Sequence, residues 1–128
     1  MPIERIFPAN APTPRGPYSP AVRAGDFIYV SGQGPIDPVT DKLSTGDIKV
    51  QTQIVLSNIK RILEASGATP ADVVRCGVFL KDGAEFPLMN EVYSEFFGAN
   101  RPARTTVVCG FVADMRVEID CVAYKPKS

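Results

Sequence analysis

The stretch Met115–Tyr124, MRVEIDCVAY, carries Met115, Val117, Ile119, Cys121 and Ala123 at alternate positions, with Arg116, Glu118 and Asp120 between them. Successive side chains of a β-strand point to opposite faces, so this alternation specifies a strand with one buried face and conflicts with the 3.6-residue repeat of a helix. A chain containing it must supply neighbouring strands and a layer to cover the apolar side.

Other segments meet that demand. Asp26–Gly32 (DFIYVSG), Val73–Lys81 (VVRCGVFLK) and Arg104–Phe111 are rich in β-branched and aromatic residues and read as strands. From about Asp47 to Ser66, Ile48, Ile54, Val55, Ile59, Ile62 and Leu63 recur mostly at three- and four-residue steps, which predicts an amphipathic helix stopped by Gly67. A second helix is expected from about Glu85 to Phe97, with Phe86, Met89, Tyr93, Phe96 and Phe97 on one stripe, Pro87 in its first turn and Gly98 as its stop. Thr69–Asp72 reads as a capped single turn. Residues 8–20 hold five prolines and form an arm that is neither helix nor central strand. Residues 32–42 form a turn-rich loop whose GQG is no dinucleotide fingerprint, because Pro35 and Pro38 stand where a helix would have to begin. The order strand, helix, strand, helix, strand, strand predicts one α+β domain over residues 1–128, with a mixed sheet and both helices on one face.

Splitting the strands by their two-residue period, with alternation unbroken by bulges, gives one apolar face: Ile28, Val30, Val74, Cys76, Val78, Leu80, Met115, Val117, Ile119, Cys121 and Ala123. The opposite face mixes Phe27, Tyr29 and Ser31 with Val73, Arg75, Gly77 and Phe79, then Arg104, Thr106 and Val108, then Arg116, Glu118, Asp120, Val122 and Tyr124. Two readings of it stand. It can meet solvent as a charged surface with tolerated apolar residues. Alternatively, copies of the chain cover it, and Arg104, Arg75, Glu118 and Ser31 enclose a partly desolvated pocket suited to small anions.

Fourteen basic residues balance fourteen acidic ones, so no long-range field directs the chain to nucleic acid or anionic lipid. The N-terminus lacks a basic start and apolar run, and no apolar stretch approaches a membrane span; a cytoplasmic location is expected. Histidine is absent, which removes the commonest base near neutral pH and the commonest zinc ligand. Cys76, Cys109 and Cys121 are odd in number, lie in apolar runs and read as reduced packing thiols.

GPYSPAV (Gly16–Val22), VSGQGPIDP (Val30–Pro38), VFLKD (Val78–Asp82), NEVYSEFF (Asn90–Phe97), RPARTTV (Arg101–Val107) and VEIDCVAY (Val117–Tyr124) together resemble the RidA, or YjgF, family of reactive intermediate deaminases, also known as L-PSP endoribonucleases. The resemblance runs from about residue 10 to 125. It implies a chorismate-mutase-like α+β subunit, a homotrimer with ligand clefts between subunits, and no cofactor or metal. The implied activity is that of a 2-iminobutanoate/2-iminopropanoate deaminase-like hydrolase, converting enamines and imines such as 2-aminoacrylate to 2-keto acids and ammonia. A non-catalytic regulatory protein binding small carboxylates, and a deaminase of a larger substrate such as 2-aminomuconate, are the alternatives. Ribonuclease activity, implied by the older family name, has neither a basic footprint nor a histidine behind it.

Carried over by that resemblance, Arg104 grips the substrate carboxylate, with a planar fork that lysine does not reproduce. Glu118 positions the attacking water. Tyr18 belongs to the arm that closes the cleft, Ser31 and Gly32 line it, and Asn90 supplies an amide near the cleft and subunit interface. Thr106 is a departure: many deaminase-type relatives carry cysteine there, and a hydroxyl keeps hydrogen bonding without an ionisable thiol. Cys109, at an odd offset, is expected to pack in the core.

Overall fold

The computed structural model describes residues 2–127. Six strands form a single sheet: β1 (Ile3–Ile6), β2 (Ala21–Ala24), β3 (Phe27–Gln33), β4 (Val73–Leu80), β5 (Ala103–Val108) and β6 (Val117–Tyr124). Helix α1 (Ile48–Ala65) links β3 to β4, and α2 (Phe86–Phe97) links β4 to β5. The spatial order is β1-β2-β3-β6-β4-β5. Only β4 and β5 pair in parallel, across the α2 connection; the other neighbours are antiparallel.

Most of the alternating stretch Met115–Tyr124 forms strand β6, in the middle of the sheet. Val117, Ile119, Cys121 and Ala123 are buried with Ile28, Val30, Cys76, Val78 and Leu80 against Val55, Ile59, Ile62 and Leu63 of α1. The Asp47 carboxylate caps α1, accepting the Val50 N–H at 3.0 Å. Thr69 donates its N–H to Asp72 Oδ2 at 2.8 Å, closing the expected single turn at Pro70–Asp72.

Buried polar side chains of α1 fix the irregular segments around the sheet. Asn58 donates to the Ile36 carbonyl at 2.8 Å. Gln51 donates to the Gly46 carbonyl at 2.9 Å and accepts the Arg116 N–H at 2.8 Å, joining the loop before α1 to the start of β6. Arg23, only 5% exposed, donates to the carbonyls of Gly25, Ser66 and Lys125, and so ties the β2–β3 turn, the C-terminus of α1 and the end of the chain together.

Four expectations are corrected. Strands β1 and β2 extend the sheet beyond the expected set. A register shift between Val73 and Arg75 turns Val73 into the core at 6% exposure and leaves Val74 at 45%. Strand β5 runs in the opposite phase: Arg104, Thr106 and Val108 sit beside Cys76, Val78 and Leu80 on the helix-covered face, while Ala103, Thr105 and Val107 lie on the open one. Cys109 follows the end of β5, half-buried and outside the core cluster, whereas Cys76 and Cys121 are buried as expected. The remaining open face exposes Phe27, Tyr29, Val107 and Tyr124.

Candidate active site

A cleft of about 480 Å³ opens where the proline arm crosses the end of β3 and the open side of β6. Tyr18, Ser31, Gly32 and Glu118, four of the residues singled out in the sequence, all line it. The arm is held by its own backbone and by Ser31. The Ser31 N–H donates to the Pro20 carbonyl at 3.0 Å, and its hydroxyl donates to the Ser19 carbonyl at 2.6 Å. Tyr18 is secured by its N–H to the Gly16 carbonyl at 2.9 Å and by its hydroxyl, which accepts the Arg15 N–H at 3.1 Å.

Ser31 and Gly32 occupy the register irregularity between Val30, paired with Cys121, and Gln33, paired with Ile119. A bulge re-aims the residues it contains. Here it brings Gly32 under Glu118 so closely that a Cβ at Gly32 would lie 2.6 Å from Glu118 Oε2. Burial pushes the Glu118 carboxyl above the ordinary glutamate range, and the negative charge of Asp120, on the same face of β6, adds to the effect. Asp120 has a similar seat: its Oδ1 accepts the Gly77 N–H at 3.0 Å, and a Cβ on Gly77 would come within 2.6 Å of that oxygen. Two glycines on neighbouring strands therefore make room for two carboxylates on β6.

Arg104, Asn90 and Thr106 form a second group elsewhere. Helical spacing places Phe86, Asn90 and Tyr93 of α2 along the edge of β5. Arg104 donates from Nη1 to Asn90 Oδ1 at 2.8 Å, and its guanidinium carbon lies 4.8 Å from the Tyr93 ring centroid and 5.4 Å from that of Phe86. Arg104 forms no ion pair among the described residues and lies outside the cleft that Glu118 lines in the single chain. Glu118 aligns with Phe79 and Val107, and Arg104 lies three residues from Val107 along β5; strand geometry puts the two α-carbons about 14 Å apart, on opposite faces. The Thr106 hydroxyl is buried without a hydrogen-bond partner.

Nearby thiol chemistry is muted. Burial pushes the Cys76 thiol up to about 11, and burial also raises the Tyr93 hydroxyl; the two groups interact, but without hydrogen-bond geometry at the Tyr93 oxygen. Among the described residues no three His, Cys, Asp or Glu side chains are grouped to hold a metal ion, and no helix is long and apolar enough to cross a membrane. The sequence reading missed Arg15 and Met115 as cleft residues. Arg15 lies three positions from Tyr18 in the same turn-rich segment, which was the available signal.

The six-stranded sheet backed by two helices is a fold shared with a solved RidA-type protein: the RidA from an Antarctic Psychrobacter superposes with a TM-score of 0.90 at 38% identity, over 94% of this chain and 98% of that one. The chain belongs to the Endoribonuclease L-PSP family, whose model matches residues 8–125 and whose members include proteins named RidA and RutC. It is 52% identical to a RutC family protein of Pyrococcus horikoshii over 95% of this chain and 98% of that one. Identity is 43% to the 3-aminoacrylate deaminase RutC of Acinetobacter baylyi, covering 97% of this chain and 99% of the relative. A 2-iminobutanoate/2-iminopropanoate deaminase of Dermatophagoides farinae is 42% identical, with 88% of each chain covered.

Proposed function

We propose that the protein is a deaminase that hydrolyses reactive enamine and imine intermediates, such as 2-aminoacrylate and the 2-imino acids it tautomerises to, giving 2-keto acids and ammonia. The observation that carries this reading is the partly buried Glu118 carboxylate, seated against Gly32 in a cleft bounded by Tyr18. Relatives named as 3-aminoacrylate and 2-imino-acid deaminases support the reaction class.

In this mechanism the imine carbon is already electrophilic, and the protein supplies orientation and a proton carrier. Glu118 accepts a proton from water as its oxygen bonds to the imine carbon. It returns that proton to nitrogen, giving the carbinolamine, then carries the hydroxyl proton to nitrogen as the C–N bond breaks, releasing ketone and ammonia. A carboxyl with raised proton affinity suits both halves of this exchange better than an ordinary one. Arg104 binds the substrate carboxylate through its guanidinium fork. Because Arg104 and Glu118 face opposite sides of one sheet, the site is completed by a second copy, with the exposed Phe27, Tyr29, Val107 and Tyr124 supplying apolar contact surface between subunits of a homotrimer.

The test generates 2-aminoacrylate with a separate lyase and follows its loss and keto-acid formation with native protein, Arg104→Ala and Glu118→Gln. Acceleration by native protein and loss in both variants is expected; equal rates with and without native protein would sink the reading for that substrate. Sedimentation tests the assembly, and a stable monomer would remove the shared cleft. Binding of keto acids by an otherwise inactive native protein would favour a regulatory carboxylate binder instead.

A further inference from the structure

The cleft, about 480 Å³ in the single chain, extends from Glu118 past Arg15 of the proline arm to the segment Val112–Met115. Ile36, Leu43, Val112 and Met115 give it apolar walls, while Arg15 is the one cation and Glu118 the one acid among its lining residues.

Arg15 is held but not neutralised. Its guanidinium donates to the backbone carbonyl of Asp41, and its N–H donates to the Tyr18 hydroxyl at 3.1 Å. Asp41 adopts φ 60°, the one non-glycine residue in the left-handed region among those described. Its carboxylate accepts the Thr13 N–H at 3.3 Å and does not pair with Arg15. The loop thus fixes the guanidinium with a neutral acceptor, and among the described residues no carboxylate pairs with it, so it meets the cleft as a cation with donors to spare. A cation so placed is matched by an acid on the ligand.

We propose that Arg15 receives a second acidic group, so that the cleft favours imino acids whose side chain ends in a carboxylate over those with a short apolar side chain. The apolar walls accommodate the methylenes between the two carboxylates. Arg15 is then the specificity residue, and Arg104 and Glu118 serve the end of the substrate common to both classes. This assignment rests on reading the cleft as that of an imine hydrolase.

Calorimetric titration with two stable keto-acid products separates the possibilities: 2-oxobutanoate carries one carboxylate, and 2-oxoglutarate carries two. Native protein should bind 2-oxoglutarate tighter by about two- to fivefold, the scale of an exposed ion pair. The ratio of the two affinities should fall to near one in Arg15→Gln and below one in Arg15→Glu. A native ratio of one or less, or a ratio that neither substitution changes, overturns the assignment. If native protein hydrolyses 2-iminobutanoate while showing no such preference, the Arg15 assignment fails alone. If it neither hydrolyses that imine nor binds either keto acid, the imine-hydrolase reading fails and takes this one with it.

Discussion

The Glu118 carboxylate rests on the bare α-carbon of Gly32, with 2.6 Å separating Oε2 from the position a Cβ would occupy. Gly32 has no positive φ, so alanine is tolerated by the backbone and its cost is the contact itself. Gly32→Ala should displace the carboxylate and lower kcat/KM for 2-aminoacrylate by about 10–100-fold, the scale of a small misplacement of a reacting group. Urea unfolding should report a much smaller change, separating a moved site from a damaged fold.

Burial and the charge of Asp120 both raise the Glu118 carboxyl, burial being the larger influence. Under the proposed mechanism Glu118 is the base and must be ionised, so kcat/KM should fall with decreasing pH along a limb lying above the ordinary glutamate value of about 4.3. Asp120→Asn should move that limb to lower pH without bringing it all the way to the ordinary value. An unmoved limb in Asp120→Asn would detach Asp120 from the site.

The same shift acts on stability. Folded Glu118 keeps its proton to higher pH than unfolded Glu118, so its contribution is fully present below the unfolded pKa and is lost as pH rises through the folded one. Glu118→Gln should therefore raise Tm near neutral pH, and the gain should disappear by about pH 4. A scanning-calorimetry pH series on native protein and variant measures this.

Arg104 is steered by Asn90 and flanked by two aromatic rings. Arg104→Lys loses the fork and the flat stacking surface together, and kcat/KM should fall about 10–100-fold, matching one charge-assisted hydrogen bond. Asn90→Ala leaves the cation in place but unsteered, so its loss should be smaller and reside mainly in KM.

Arg23 lies outside the Glu118 cleft. Arg23→Ala removes a buried guanidinium that serves three carbonyls, and the unfolding free energy should fall by about 2–4 kcal/mol. Activity measured well below the new Tm should be preserved.

What could be read from sequence followed the strength of each local pattern. Helix α1 and strand β6 carry long, clean periods, and both were legible to within a few residues. Strands β1 and β2 are four residues each and carry little such pattern. Strand β5 was misphased because RTTVV has no strict alternation, and an edge strand beside a helix is half-covered on both sides. Val73 and Val74 exchanged faces through an irregularity whose sequence, VVR, is apolar on either phase. The cleft residues Tyr18, Ser31, Gly32 and Glu118 were recoverable from motif resemblance, whereas the separation of Arg104 from them follows from β5 pairing, which no local pattern encodes.

Arg104 and Glu118, on opposite faces of one sheet, also have a genetic consequence. Under the shared-cleft reading, a subunit lacking Arg104 and another lacking Glu118 are each inactive as pure assemblies. Refolded together, they create some interfaces where the intact arginine of one meets the intact carboxylate of the other. Activity should return to the mixture of Arg104→Ala and Glu118→Gln, so that two defective alleles complement in one cell, whereas a site contained within each subunit would stay silent however the copies are mixed.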